Sequence, residues 1–262
     1  MSFTLATWNI NSIRLREALV SRLLTEETPD VLCLQECKSP VDKIPTEAFH
    51  ALGYTHMVAR GQKGYNGVAI LSKLPLEDTG ETDFAGLGHA RHVSARLPNG
   101  VTIHNCYVPA GGDIPDRGQN VKFGQKLDYL THLRDHFHEQ RPARSILVGD
   151  LNIAPREDDV WDHKALLKIV SHTPIEVAHL NEAREAGGWV DVTRANLPTG
   201  RLYSWWSYRS PDWDAADKGR RLDHVWATAD IAAAGHSSRI LRPVRGWDQP
   251  SDHAPVFATF DL

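Results

Sequence analysis

Apolar residues in this chain gather into short runs, and most of the runs stop on a polar residue with chemical capacity. Eight read as strands: "FTLATWNI", "VLCLQE", "GVAILS", "HVSARL", "VTIHNCYV", "SILVGDLN", "LDHVWAT" and "PVFATFDL". They are rich in β-branched and aromatic residues and are bounded by turn residues. Helical spacing intervenes. From Ile13 to Glu26, apolar residues at 13, 15, 19, 20, 23 and 24 keep close to a 3.6-residue period until Pro29 stops it. A second helix is predicted over Val121–Gln140, with Leu127, Leu130, Leu133 and Phe137 on its inner face, and a third over Ala178–Ala186, closed by Gly187 and Gly188. Many strands with few, separated helices predict an α/β chain: two sheets packed face to face, helices outside, one domain over residues 1–262.

No Ser/Gly-rich linker, repeat or low-complexity stretch divides the 262 residues. The longest irregular stretches are Pro75–His89, Pro109–Asn120 and Ser207–Gly219, and loops of that length in a compact chain are usually functional. Lys and Arg total 29 against 33 Asp and Glu, a formal charge of −4. No global positive field recruits a polyanion, so a nucleic-acid partner requires basic residues gathered on one face, with a metal ion adding charge. Cys33, Cys37 and Cys106 form no CxxC spacing, and Cys33 and Cys106 sit inside apolar runs. A reducing cytoplasm without disulfides is expected. The N-terminus lacks a signal-peptide pattern and no apolar run approaches bilayer length, so a soluble cytoplasmic protein with no membrane partner is expected.

The polar residues at run ends change the picture most. "WNIN" supplies Asn9 and Asn11, "LQE" supplies Glu36, and "YVP" supplies Tyr107; "GDLN" adds Asp150 and Asn152, and "SDH" adds Asp252 and His253. Strand alternation puts Asn9 with Asn11, and Asp150 with Asn152, on one face, with Gly149 leaving room for a ligand. Singly, each suits a turn or a cap. Together, carboxylates brought so close repel one another unless a cation holds them. Oxygen donors without clustered Cys or His indicate a hard cation, Mg²⁺ or Mn²⁺, rather than zinc. Walker A, GxGxxG and HExxH patterns are absent, and His132 and His136, one turn apart, read as a solvated helix face.

In order along the chain, "TWNINSIR", "LQECK", "GQKGYNGVAIL", "NCYVPAGG", "GDLNIAP", "YSWWSYR", "RRLDHVWAT" and "SDHAPV" resemble the exonuclease III family of apurinic/apyrimidinic endonucleases, within the metal-dependent endonuclease/exonuclease/phosphatase superfamily. The resemblance runs from Thr7 to Val256 and implies a four-layered αββα sandwich of two mixed sheets. It implies Glu36 as main metal ligand with Asn11 and Asp252 near the ion, and Asn9 helping to hold site and phosphate. It also implies Tyr107 beside the scissile phosphate, Asp150 orienting or deprotonating water, Asn152 as phosphate-binding amide, and His253 contacting phosphate with Asp223 behind it. Protonated, His253 would be an electrostatic clamp; neutral, a base whose tautomer Asp223 fixes. A cation beside a dianionic transition state favours the clamp.

The same resemblance implies a pocket for a base-less deoxyribose, walled by Trp205, Trp206 and Leu222, that an intact nucleotide cannot enter. Arg14, Lys63, Tyr65, Arg209 and Arg221 are the expected DNA-backbone contacts. Ser12, Ala110 and Arg220 depart from the family pattern, and Arg220 puts a charge in a pocket position that is often apolar. The expected function is a Mg²⁺-dependent DNA repair phosphodiesterase, Mn²⁺ able to substitute, that cuts 5′ to abasic sites and trims recessed or blocked 3′ ends of double-stranded DNA. A monomer acting at the nucleoid is expected. The alternatives are a phosphoesterase on inositol phosphates or phospholipids, and a non-catalytic DNA-binding relative.

Overall fold

The computed structural model describes residues 2–261. In chain order its strands are β1 (Ser2–Asn9), β2 (Val31–Gln35), β3 (His56–Arg60), β4 (Val68–Ser72), β5 (Glu77–Gly80), β6 (His92–Arg96), β7 (Thr102–Tyr107), β8 (Ser145–Asp150), β9 (Trp189–Asp191), β10 (Trp205–Trp206), β11 (Gly219–Arg220), β12 (Asp223–Thr228), β13 (His236–Ile240) and β14 (Val256–Asp261). The α-helices are α1 (Glu17–Glu26), α2 (Thr46–His50), α3 (Val121–Gln140), α4 (His163–Leu166), α5 (Pro174–Ala186), α6 (Val192–Asn196), α7 (Trp213–Ala216) and α8 (Ala229–Ala233). Two six-stranded mixed sheets have the orders β13-β14-β1-β2-β4-β3 and β5-β6-β7-β8-β12-β9, and β10 and β11 make a short hairpin.

Alternation along the strands builds four layers. Ile146 and Val148 of β8 face inward, where they join Ile103, Val225, Leu5, Val31 and Ile70 in an apolar seam between the sheets. Each such side chain withdrawn from water contributes about 1.5–3 kcal/mol. On one outer face α1 and α2 pack Val20, Leu23 and Phe49 against Trp8, Leu32 and Leu34. On the other, α3 and α5 pack Tyr129, Leu133, Phe137 and Leu180 against Leu147 and Trp226. The αββα sandwich expected from the sequence is the observed fold.

The eight runs that read as strands are the inner strands of the two sheets. The four that escaped, β3, β5, β9 and β13, are the four sheet edges. Edge strands such as "EDTG" and "HSSRI" carry exposed polar residues that blunt the open hydrogen-bonding side and erase the apolar signature. The first helix starts at Glu17 rather than Ile13, because Asn11 (φ 50°) and Ser12 (φ 91°) are left-handed and the chain turns before it coils. α3 has the expected bounds, whereas α5 begins four residues early on the capping box of Thr173 and Glu176, with Pro174 in its first turn. His132 of α3 is exposed as expected, with Nδ1 2.7 Å from the Phe84 carbonyl, whereas His136 is half-buried and packs edge-on against Phe84.

Topology explains where the chemistry gathers. β1 runs parallel to β2, and β7 parallel to β8, so all four deliver their C-terminal ends to one end of the sandwich. β12 and β14 are antiparallel to β8 and β1 and bring their N-terminal ends to the same place. Across the second sheet Tyr107, Asp150 and Asp223 stand in a single register row. Beneath that end Asn105 crosses between the sheets: it donates to the carbonyls of Leu34 (3.0 Å) and Ala69 (2.9 Å) and accepts from Gln35 (2.7 Å). Gly149 does not leave room for a ligand as expected. A Cβ there would stand 1.8 Å from the Cys106 carbonyl oxygen of β7, and the residue adopts φ +139°, so strand packing is what requires glycine.

Candidate active site

Asn9, Asn11, Glu36, Tyr107, Asp150, Asn152, Asp223, Asp252 and His253 meet at the strand ends. The Asn9 amide donates to Glu36 Oε1 (2.9 Å) and Asp150 Oδ2 (2.8 Å), which spends both its protons linking the two carboxylates. Asp150 also accepts from the Asn152 backbone N–H (3.0 Å) and side-chain amide (3.0 Å). His253 Nδ1 lies 2.8 Å from Asp223 Oδ2, and its Nε2 faces Asp150 Oδ2 at 3.7 Å. Asp223 Oδ1 is buried without a partner. The backbone of "SDH" is pinned by Trp8, whose indole donates to the His253 carbonyl (2.9 Å), and by Ser251, whose hydroxyl donates to the Asn9 carbonyl (2.6 Å).

Alternation is not what aligns the paired amides. Asn11 and Asn152 lie past their strands in left-handed backbone (φ 50° and 55°), as does Glu36 (φ 50°). Each Asn folds back as a tight turn: Asn11 N–H donates to Asn9 Oδ1 (3.1 Å), and Asn152 N–H to Asp150 Oδ1. Left-handed non-glycine residues cost on the order of 1–3 kcal/mol each and gather where geometry is over-determined by function.

Electrostatics follow from burial. Burial pushes the Asp150 carboxyl up to about 7, Asp223 adding to it and His253 opposing. For His253 burial disfavours the cation, yet Asp223 and Asp150 outweigh it and hold the imidazole charged, well above its ordinary range. Burial raises Tyr107 as well, with Glu36 and Asp150 adding, so the phenol keeps its proton as a donor. Glu36 is the opposite case: burial pushes it up, but Lys38 and hydrogen bonds hold it below the usual carboxylate range.

The oxygen donors fit a hard cation. Lys38 Nζ lies 2.7 Å from Glu36 Oε2 and 2.5 Å from Asn11 Oδ1, so a positive charge is stabilised between these two oxygens. Asn11 Nδ2 lies 3.3 Å from Asp252 Oδ1, whose other oxygen accepts from the Trp205 indole (2.9 Å). Among the described residues, Asp150, Asp223 and His253 also group like metal ligands, with one donor atom from each within 4.8 Å of the others. An imidazole held as a cation by Asp223 has no lone pair to give, so that trio is better described as a charge-balanced proton network. Asn9 holds the site together, because its protons join the Glu36 and Asp150 carboxylates and its oxygen accepts from Asn11. Asn152 directs its amide protons to Asp150 and the Val108 carbonyl (2.9 Å).

Glu36, Asp150, Asn152, Asp252 and His253 floor a cleft of about 890 Å³. Trp205, Leu222, Trp161, Val170 and Arg220 form its wall, and Arg209 and Lys218 lie along it. Of the paired tryptophans, Trp206 is chiefly core at 1% exposure, packed against Tyr203 and Ala254, while Trp205 is half-buried in the wall. Arg220 Nη1 donates to the Val170 carbonyl (2.9 Å) and Ser171 Oγ (2.7 Å), and its guanidinium lies 5.3 Å from the centre of the Trp205 ring. Arg14, Lys63 and Tyr65 are exposed outside the cleft, Lys63 and Tyr65 on a turn tied to Lys38. Arg221 is a correction. Expected on the DNA face, it is fully buried in ion pairs with Asp159 (2.7 Å) and Asp191 (2.9 Å), two acids the local sequence gives no reason to pair with it. Two contributors escaped sequence reading, Lys38 and Arg16. Arg16 donates to the Asn11 carbonyl, the Gln249 carbonyl (3.0 Å) and Tyr208 Oη (3.1 Å), so it ties three loops together. Its place one turn after "WNIN" was the available signal.

Two packed mixed sheets with acids, amides and an imidazolium at the strand ends define a phosphoester hydrolase. The chain belongs to the endonuclease/exonuclease/phosphatase family, whose sequence model matches residues 6–253. It is 29% identical to an exodeoxyribonuclease III from Haemophilus influenzae over 97% of this chain and 98% of that one. It superposes on an AP endonuclease from Archaeoglobus fulgidus with a TM-score of 0.92 at 33% identity, covering 99% of this chain and 100% of the other. A 3′-5′ exonuclease from Neisseria meningitidis gives a TM-score of 0.91 at 32% identity, with 99% and 100% covered.

Proposed function

We propose that this chain is a Mg²⁺-dependent DNA repair phosphodiesterase, with Mn²⁺ able to substitute, acting as a monomeric single-domain enzyme. It cuts 5′ to abasic sites and trims recessed or blocked 3′ ends of duplex DNA. The observation that carries the reading is the joining of Glu36, Asn9, Asp150 and the Asp223–His253 pair by direct hydrogen bonds or facing charges at the floor of one aromatic-walled cleft.

In-line hydrolysis requires an oriented water, charge relief on the nonbridging oxygens and help for the departing 3′-oxygen. Asp150, raised by burial toward neutral pH, is suited to orient water and take its proton. His253, held charged against Asp223, serves as the electrostatic clamp on phosphate; a base would have to be neutral. Tyr107, an intact phenol hydrogen-bonded to Glu36, would stand beside the scissile phosphate. Asn9 and Asn152 act by holding Asp150 rather than by gripping substrate, since their amide protons are committed. Glu36, with Asn11 and Asp252, would hold the divalent cation, which supplies Lewis-acid neutralisation of the phosphate. Trp205 and Leu222 offer an apolar wall to a base-less sugar, and Arg14, Lys63, Tyr65 and Arg209 offer contacts to the backbone.

The test offers a duplex with one abasic analogue, an undamaged recessed-end duplex and a phosphoinositide, each with Mg²⁺ or with EDTA. Metal-dependent cleavage of the DNAs, and none of the lipid, is expected. Cleavage of the phosphoinositide alone would overturn the reading.

A further inference from the structure

Behind the cleft wall lies a fully buried ion pair that the hydrolytic scheme does not use. Lys126 of α3 and Glu176 of α5 meet at 2.5 Å, and both side chains have no solvent exposure. Neither touches a side chain at the floor of the cleft. Their remaining bonds all go to the backs of loops that line it. Lys126 Nζ donates to the carbonyls of Asn152 (2.8 Å) and Ala110 (3.3 Å). Glu176 accepts from the backbone N–H groups of Ser171 (2.9 Å) and Thr173 (3.2 Å) and from the Thr173 hydroxyl (2.6 Å). Ala110, Asn152 and Ser171 all line the cleft. Gly111 is left-handed (φ +90°), and a Cβ there would come 2.9 Å from Lys126 Cδ, so the loop is shaped around the lysine stem.

We infer that Lys126 and Glu176 are positioning residues for the reaction, an internal strut that fixes three cleft loops relative to one another. Asn152 is the point of greatest leverage. Its left-handed backbone places its N–H on Asp150 Oδ1 and its side chain on Asp150 Oδ2, while its carbonyl is held only from behind, by Lys126. Fixing that carbonyl therefore fixes the carboxylate that faces the substrate. On the other side Ser171 is gripped twice, by Glu176 through its N–H and by Arg220 through its hydroxyl. The strut thus also sets the depth at which Arg220 and Val170 stand in the wall. Stability alone does not account for it. Buried ion pairs are commonly no more stabilising than apolar residues of the same volume, whereas a point contact to three loop backbones is something apolar residues cannot supply.

The inference rests on the hydrolytic reading proposed above. The double variant Lys126→Met/Glu176→Leu conserves volume and leaves no lone charge. Steady-state kinetics on the abasic duplex are expected to show kcat down by about 100-fold with KM within about 3-fold, since a displacement near 1 Å at the reacting group is that costly. Near-UV circular dichroism should stay close to wild type, with thermal unfolding lowered because the Asn152 and Ala110 carbonyls lose their donor. Glu176→Asp keeps both charges, withdraws the carboxylate by one methylene, and should lose about fivefold in kcat; it gives the reading if the apolar pair does not fold. Lys126→Arg, which retains the donors, should recover most of the rate. Wild-type kcat in a folded Met/Leu or Asp variant would overturn the inference. The wild-type enzyme's own cleavage, measured beside it, tests the hydrolytic reading separately.

Discussion

Asp150 accepts three hydrogen bonds from two asparagines and faces an imidazolium, so its orientation is settled before substrate arrives. Asp150→Asn keeps the shape but loses the negative charge and the capacity to take a proton. Cleavage is expected to fall by about 10³-fold or more, while duplex affinity, measured by fluorescence anisotropy, changes less than about threefold. An equal loss of both would make Asp150 structural. Residue chemistry at the strand ends was legible because Asn, Glu, Tyr, Asp and His are conspicuous where apolar runs stop. What each side chain does with its protons was not. Asn152 commits its amide to Asp150 and a carbonyl, and Arg221 turns inward to Asp159 and Asp191. Both outcomes depend on neighbours brought in by sheet register, far along the chain.

At the scale of elements, the inner strands and α3 announce themselves by burial, and the edge strands conceal themselves by polarity. The start of α5 lies in the capping box of "TPIE", ahead of the apolar period that marks the rest of the helix. The cross-sheet amide of Asn105 is the element contact with the clearest cost. Asn105→Leu would strand the carbonyls of Leu34 and Ala69 in an apolar seam and cost Gln35 one of its acceptors, leaving it Thr7 Oγ1. The expected loss is about 2–4 kcal/mol, read as a lower urea midpoint at unchanged slope. A loss below about 0.5 kcal/mol would show that water replaces the link. No sequence pattern could locate this contact, since an asparagine inside a strand carries no sign of which sheet it crosses to.

For the whole molecule, the layered sandwich followed from the order of runs, and no helix among the described residues is long and apolar enough to cross a membrane. The three cysteines are buried thiols. Acid sensitivity, by contrast, comes only with the fold. Burial depresses His104 to about 3, with His136 adding, and His224 to about 4, with Arg221 adding. Unfolded, both would take protons near pH 6.5; folded, they resist until far lower. Their contribution to stability is therefore complete above pH 6.5 and drains away as pH falls toward 4. From pH 7 to pH 5 each should cost about 1–2 kcal/mol in chemical denaturation, while Asp150, raised to about 7, gains stability over the same window, so the test is the difference between wild type and a variant. His104→Gln should lose less stability than wild type between pH 7 and 5, and equal losses in the two would contradict a buried neutral His104. Finally, Tyr107, Asp150 and Asp223 share one row across β7, β8 and β12, so their spacing is ruled by the hydrogen-bond ladder itself, about 4.8 Å per step. Inserting or deleting one residue inside any of these strands would carry its member to the opposite face. The cleft wall, built on loops and the two-residue β10–β11 ladder, has no such long ruler. Substrate range and hydrolytic chemistry are thus separately heritable: loops can lengthen and change what is admitted while the reacting row stays in register.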